Sequence, residues 1–236
     1  MTLARPLIWG HRGASFAAPE NTLAAFRLAR EMGADGVELD AQRCASGEIV
    51  VIHDDSLART TGFAGLVTET PYPVIRALDA GRGERVPLLS EVLEELPLRI
   101  NVELKCDRAD DRGLTAGVVK LVRAAGAADR VLLSSFNPLC LLRARLLAAE
   151  TPRALLFESE QEWWLRSALA APVLAAGALH PEHVLATPDR VRRWRRRGYL
   201  VACWTVDDPD TASGLVDSGV TGIITNRPDR MRARWP

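Results

Sequence analysis

A closed (β/α)8 barrel, eight parallel strands with helices outside, is the architecture implied by three features of this chain. Short β-branched or apolar runs alternate with longer stretches of helical period, as parallel strands joined by right-handed crossovers require. Eight strand-like runs can be counted along the chain. The 236 residues, 47% hydrophobic and 25% charged, suit eight such units. A chain of this length buries about 70% of its extended surface, so its core needs no staple.

The first strand-like run, 6–10, precedes a helix over 22–32, in which Leu23, Phe26, Leu28 and Met32 share one apolar face and Gly33 ends the pattern. The second strand, 36–40 (GVELD), is followed after the turn-like Ser46-Gly47 by a ninth run, 49–53 (IVVIH). That gap is too short for a parallel crossover. Residues 41–53 are therefore expected to form a hairpin that rises above the barrel rim and returns His53 to the level of Asp40, with 54–88 an irregular excursion. The strands continue at 99–105, 131–136, 153–157, 177–180, 200–206 and 222–225, separated by helices near 114–125, 138–149, 160–170, 188–197 and 209–218. No Pro/Ser-rich linker, charge block or repeat divides the sequence, so 1–236 reads as one barrel domain with a small insertion at 54–88.

Thirty basic and thirty acidic residues cancel, so no global field draws the protein to nucleic acid or to a membrane, and charge selectivity must be local. The longest apolar runs fall well short of the ~20 residues that span a bilayer, and neither a signal peptide nor an anchor is expected. Cys44, Cys106, Cys140 and Cys203 lie far apart with no CxxC pair, which favours free thiols in a reducing cytoplasm over a zinc site or a disulfide framework. Residues 190–197 read RVRRWRRR. With Val191 and Trp194 at helical spacing they suit a solvated outer helix better than a nucleic-acid or lipid contact. His180 and His183, with Pro181 between them and no further ligands nearby, are not read as a metal site.

Alternate residues of a strand share a face, so Glu38 and Asp40 point one way and Val37 and Leu39 the other; Asn101, Glu103 and Lys105 are grouped likewise against Val102 and Leu104. Helices cover the outside of a parallel barrel, which places the apolar set outward and the charged set inside, near the C-terminal mouth. Three converging carboxylates, Glu38, Asp40 and Glu103, call for a cation, and oxygen ligands favour Mg²⁺ or Ca²⁺ over zinc. The alternative is a structural salt-bridge cluster with Lys105 and Arg12. His11 and His53 end strand-like runs beside these acids, where barrel enzymes place working groups, and imidazole titrates near pH 6.5, which suits proton transfer in both directions. Arg12 offers a planar fork and Lys105 a point charge, a pair suited to an anionic substrate.

Taken in order, His11-Arg12-Gly13, Pro19-Glu20-Asn21-Thr22, Glu38-Leu39-Asp40, His53-Asp54, Arg59-Thr60-Thr61, Glu103-Leu104-Lys105, Ser134-Ser135-Phe136, Trp204-Thr205-Val206 and Thr225-Asn226-Arg227-Pro228 make a chain that resembles the glycerophosphodiester phosphodiesterases from about residue 7 to 229, most of all their compact cytosolic bacterial members. The resemblance implies a TIM-type barrel of the phospholipase-C-like phosphodiesterase kind. In it His11 and His53 are acid and base, Glu38, Asp40 and Glu103 hold a divalent metal, Arg12 and Lys105 bind phosphate, and Phe136 and Trp204 border the glycerol and leaving-group pocket. Phe136 and Trp204 could equally be ordinary barrel packing. Glu20 and Asn21 match the motif but stay outside the catalytic set, because Asn21 precedes a helix that its side chain could cap.

The expected reaction is metal-dependent hydrolysis of small-molecule glycerophosphodiesters to sn-glycerol 3-phosphate and an alcohol such as choline, ethanolamine or glycerol. A cyclic phosphate intermediate is plausible from the resemblance, and residues 62–88 could set substrate choice. Two alternatives stand beside it: a lysophospholipase D acting on substrates that keep one acyl chain, and a catalytically silent barrel that only binds phosphoesters.

Overall fold

The computed structural model describes residues 5–163, 166 and 168–236. The elements follow the alternation in the sequence: β1 (Leu7–His11), α1 (Leu23–Glu31), β2 (Gly36–Arg43), β3 (Ile49–Val51), α2 (Ala58–Thr61), α3 (Tyr72–Ala77), α4 (Leu89–Glu95), β4 (Arg99–Leu104), α5 (Leu114–Ala124), β5 (Val131–Ser135), α6 (Pro138–Leu147), β6 (Arg153–Phe157), β7 (Ala178–Pro181), α7 (Pro188–Arg196), β8 (Leu200–Cys203), α8 (Pro209–Asp217), β9 (Gly222–Thr225) and α9 (Pro228–Arg234). Helix starts are encoded locally: Asn137 and Asp208 each accept a backbone N–H of the first turn and are followed by a proline, whose missing N–H costs nothing at that position.

Eight strands pair in parallel in the order β1-β9-β8-β7-β6-β5-β4-β2, and the pairing of β1 with β2 closes the ring. The expected barrel is therefore present. Val37, Leu39, Ile100 and Val102 face outward into the shell of helices, and Leu155, Leu179 and Ile223 do the same on the other side of the ring. β3 alone is antiparallel; it pairs with β2 in the register Ala41↔Val51, and the Ile52 amide donates to the Asp40 carbonyl at 2.9 Å. The hairpin thus returns His53 to the level of Asp40, as its spacing requires.

The expected irregular excursion at 54–88 is better ordered than its sequence suggests. It contains α2, α3 and a 3₁₀ turn, and Leu57, Val67, Ile75 and Val86 pack with Val50 and Ile52 into a small core of their own. Helices α4 and α9, seven residues each, were not expected from the sequence, because two turns are too short to establish a period. The helix expected over 160–170 includes Trp164, Leu165 and Ser167, which lie outside the described residues; the described remainder forms turns. In α7, Val191 and Trp194 are buried and the arginines line the outer face, while Arg190 lies over the Trp194 ring at 5.0 Å.

His180 lies on β7 and is 2% exposed, and its Nδ1 has no hydrogen-bond partner among the described residues. Burial pushes this imidazole down to about 4, whereas in the unfolded chain it titrates near 6.5. Between those values the unfolded state binds the extra proton, so stability falls as the pH is lowered from 6.5 toward 4. At pH 5 the loss amounts to about 2 kcal/mol, or roughly 4–8 °C in Tm for a chain of this size. Thermal melts of His180→Leu should lack this component; an equal acid-induced fall in the variant and the unsubstituted protein would assign it to other groups.

Candidate active site

The site grows from the C-terminal ends of β1, β2 and β4. At the end of β1 the chain turns through Arg12 and Gly13, both left-handed, with φ of 54° and 84°. A Cβ on Gly13 would come within 2.6 Å of the Ala25 backbone, so the turn requires glycine. Arg12, a non-glycine in this region, is a strained residue held by its surroundings: its N–H donates to Glu38 Oε2 at 3.1 Å and its guanidinium donates to Glu20 Oε1 at 3.1 Å.

Glu38, Asp40 and Glu103 converge with ligand oxygens all within 4.8 Å of one another, and all three are buried. Burial pushes Glu38 well above the usual carboxylate range, and the charges of Asp40 and Glu103 push it further. The same causes, burial first and then Asp40, push Glu103 up to about 7. Like charges without a counterion raise each other in this way. Lys105 Nζ stands 3.2 Å from Glu103 and 3.9 Å from Asp40, and Arg12 Nε stands 3.4 Å from Asp40, so monovalent partners answer part of the charge. An all-oxygen, buried, mutually repelling donor set fits a hard divalent ion.

His11 and His53 approach this cluster from two sides. His11 Nε2 lies 4.0 Å from Glu38 Oε2, and its Nδ1 lies 2.7 Å from Asn226 Oδ1. Burial, and after it the charge of Arg12, lowers the His11 imidazole. His53 Nδ1 donates to Asp54 Oδ1 at 2.6 Å, and its Nε2 lies 3.3 Å from Lys105 Nζ. The His53–Asp54 turn is gripped from β2 by the Gln42 side-chain amide, 2.9–3.1 Å from the carbonyls of Ile52, His53 and Asp54. His11, Arg12, Glu38, His53, Glu103, Lys105, Phe136 and Trp204 all line one cavity of about 370 Å³, and Asp40 lies behind its wall, 1% exposed.

The family model for the glycerophosphoryl diester phosphodiesterase family matches residues 11–230. The chain belongs to that family. A glycerophosphodiester phosphodiesterase of Caldanaerobacter subterraneus is 34% identical, with 96% of each chain covered. One from Bacillus subtilis is 31% identical over 95% of this chain and 85% of its own length. Among solved structures, a phosphodiesterase of Oleispira antarctica in complex with the product sn-glycerol-3-phosphate superposes with a TM-score of 0.90 at 29% identity, covering 98% of this chain and 96% of that one. This glycerophosphoryl diester phosphodiesterase family member is thus an enzyme of the phosphodiester-hydrolase class.

In this phosphodiesterase-family chain Phe136 and Trp204 meet edge to face, ring centroids 5.5 Å apart, and Trp204 Nε1 donates to the His180 carbonyl at 2.8 Å. They pack on each other and border the cavity at once. Asn21 does not cap α1: Thr22 is the cap, its hydroxyl accepting from the Ala25 amide at 3.2 Å. Asn21, left-handed at φ 57°, instead donates from Nδ2 to Asp40 Oδ2 at 2.8 Å. Glu20 joins Arg12 to Arg59, and Arg59 joins Glu20 to Asp54 behind His53. The bond from Arg59, then burial, then the bond from His53 act on Asp54, with the net result that its carboxyl falls to about 2. Glu20, Asn21, Asp54, Arg59 and Asn226 were thus missed as parts of the site, although each stands in a quoted motif; Asp207, behind Asn226, follows one directly. His180 and His183 stand apart from the carboxylate group.

Proposed function

We propose that this chain hydrolyses glycerophosphodiesters to sn-glycerol 3-phosphate and an alcohol, with Glu38, Asp40 and Glu103 holding one Mg²⁺ or Ca²⁺ and with His11 and His53 as base and acid. The observation that carries the reading is the shared cavity lined by Glu38, Glu103, two histidines, Arg12 and Lys105, with Asp40 buried behind its wall within 4.8 Å of the other two acids. A bound divalent ion supplies charge neutralisation at the phosphoryl oxygens. Lys105 and the Arg12 edge add donors aimed at the same developing charge, a form of stabilisation that is usually the largest single contribution to catalysis. His11, backed by a neutral amide, suits proton acceptance from the attacking hydroxyl. His53, held through Nδ1 by the Asp54 carboxylate with Nε2 turned to the cavity beside Lys105, is placed for proton delivery to the leaving oxygen. Phe136 and Trp204 supply an apolar wall for the leaving alcohol. The intact pair of histidines speaks against a silent binding barrel. The product complex of the Oleispira antarctica relative supports the glycerol 3-phosphate half of the substrate.

Among the described residues no helix is long and apolar enough to cross a membrane. A cytoplasmic location belongs to the same proposal and rests on the dispersed cysteines.

A panel of glycerophosphocholine, glycerophosphoethanolamine, glycerophosphoglycerol and lysophosphatidylcholine tests the reading, with glycerol 3-phosphate release followed enzymatically and phosphorus species by ³¹P NMR. Release from at least one deacylated diester is expected, abolished by chelator and restored by Mg²⁺ or Ca²⁺ added separately. No release from any deacylated diester with either ion present would overturn it. Cleavage confined to the lysolipid would move the assignment to a lysophospholipase D.

A further inference from the structure

The partner of His11 is an amide, and an amide can face an imidazole with either end. Were the NH₂ of Asn226 turned toward His11, Nδ1 would have to be the bare nitrogen and the proton would sit on Nε2, toward the cavity. Surrounding contacts decide between the two. Asn226 Nδ2 lies 2.7 Å from Asp207 Oδ2, and a carboxylate only accepts. Asp207 is itself pinned, because its Oδ1 accepts from the Asn226 backbone N–H at 2.7 Å and from the Thr225 hydroxyl at 2.8 Å. The Ser15 hydroxyl lies 2.8 Å from both Asn226 Oδ1 and the His11 carbonyl; able to donate or accept, it is compatible with either orientation, and Asp207 is the group that decides. Turning the amide over would leave Asp207 Oδ2 facing the Asn226 carbonyl, two acceptors with no proton between them, so Oδ1 faces His11 and Nδ1 must carry the proton.

We propose that Asp207 and Asn226 are positioning residues for the reaction: they hold His11 as the Nδ1–H tautomer and keep the Nε2 lone pair facing the cavity, on the side of Glu38. The proposal rests on the reading of His11 as a base, and it adds which nitrogen accepts the proton and what fixes that choice. Asp207 acts at second hand, through the amide, and touches neither substrate nor reacting atoms. Asn226 lies 215 positions from His11 in sequence, just past the closing strand β9, and Asp207 lies in the loop before α8. The ring closure of the barrel is therefore what assembles the base.

The experiment is an exchange of the two partners. Asp207→Asn leaves one oxygen where two acceptors are needed and frees the Asn226 amide to turn. The double variant Asp207→Asn/Asn226→Asp restores the match, with the new amide donating to the new carboxylate, which in turn accepts from His11 Nδ1–H. ¹⁵N-histidine NMR of the full chain reads the tautomer directly and needs no turnover. For Asp207→Asn the His11 signals should move from Nδ1–H toward Nε2–H, and kcat should fall at least about tenfold with little change in KM, as expected when a base is held in the wrong tautomer. The double variant should recover the original signals and most of kcat. An unchanged His11 spectrum and kcat in Asp207→Asn overturn the proposal, as does a folded double variant that recovers neither. Altered signals with unaltered kcat would instead remove His11 from catalysis, which separates failure of the underlying reading from failure of the relay. Should Asp207→Asn not fold, Asn226→Ala, which deletes the acceptor alone, must mix the tautomers and lower kcat for the proposal to stand.

Discussion

Glu38→Gln should lower kcat for glycerophosphodiester cleavage on the order of 10³-fold, the scale of removing a divalent ion's charge stabilisation of several kcal/mol at 1.36 kcal/mol per decade. In chelator, by contrast, the variant should melt at or above the temperature of the unsubstituted protein. Glu38 is buried, and burial together with Asp40 and Glu103 holds its folded-state titration well above the ordinary 4.5. The sign follows: the folded chain binds a proton that the unfolded chain has released, so the ion-free protein loses stability as the pH rises past the ordinary value. Glutamine keeps the acceptor for the Arg12 N–H and removes the charge. Added Mg²⁺ or Ca²⁺ should raise the Tm of the unsubstituted protein and do so much less for Glu38→Gln, since only a chain with an intact site gains from linkage. A variant that melts lower in chelator and responds to the ion as before would show that the acids serve as a salt-bridge cluster with Lys105 and Arg12.

His11→Ala and His53→Ala should each reduce kcat by about 10²–10⁴-fold, the usual worth of a positioned proton-transfer group. Circular dichroism and melting should remain close to those of the unsubstituted protein, because neither ring belongs to the apolar shell outside the barrel. His53 is the cleaner case. Its side chain is 30% exposed, and its removal leaves Asp54 paired with Arg59. Near-normal turnover in both variants would end the proposed acid–base assignment.

The carboxylate cluster was legible because strand alternation is a local rule: GVELD and RINVELK each separate their charges from their apolar residues within five to seven positions. The hairpin was legible for a similar reason, since a short gap forbids a parallel crossover. What the sequence hid was whatever depends on a partner far along the chain. Nothing near His11 announces Asn226, and nothing near Asp40 announces that Asn21 turns inward to it while Thr22 takes the capping role. Glu20 and Arg59 stand in separate motifs 39 positions apart, yet in the fold they tie Arg12 to Asp54 in one chain of ion pairs. Their motifs marked them as shared features of a family without saying what they touch. α4 and α9 escaped for a plainer reason, being too short for periodicity to register.

His53 stands on the β2–β3 arm and the packed segment beyond it, outside the ring of eight parallel strands that carries His11 and the three acids. One half of the proposed proton-handling pair is cast into the staves of the cask, and the other is hung on a bracket with its own small apolar footing. A change in that bracket can therefore shift His53 alone while the cask, His11 and the three acids keep their places.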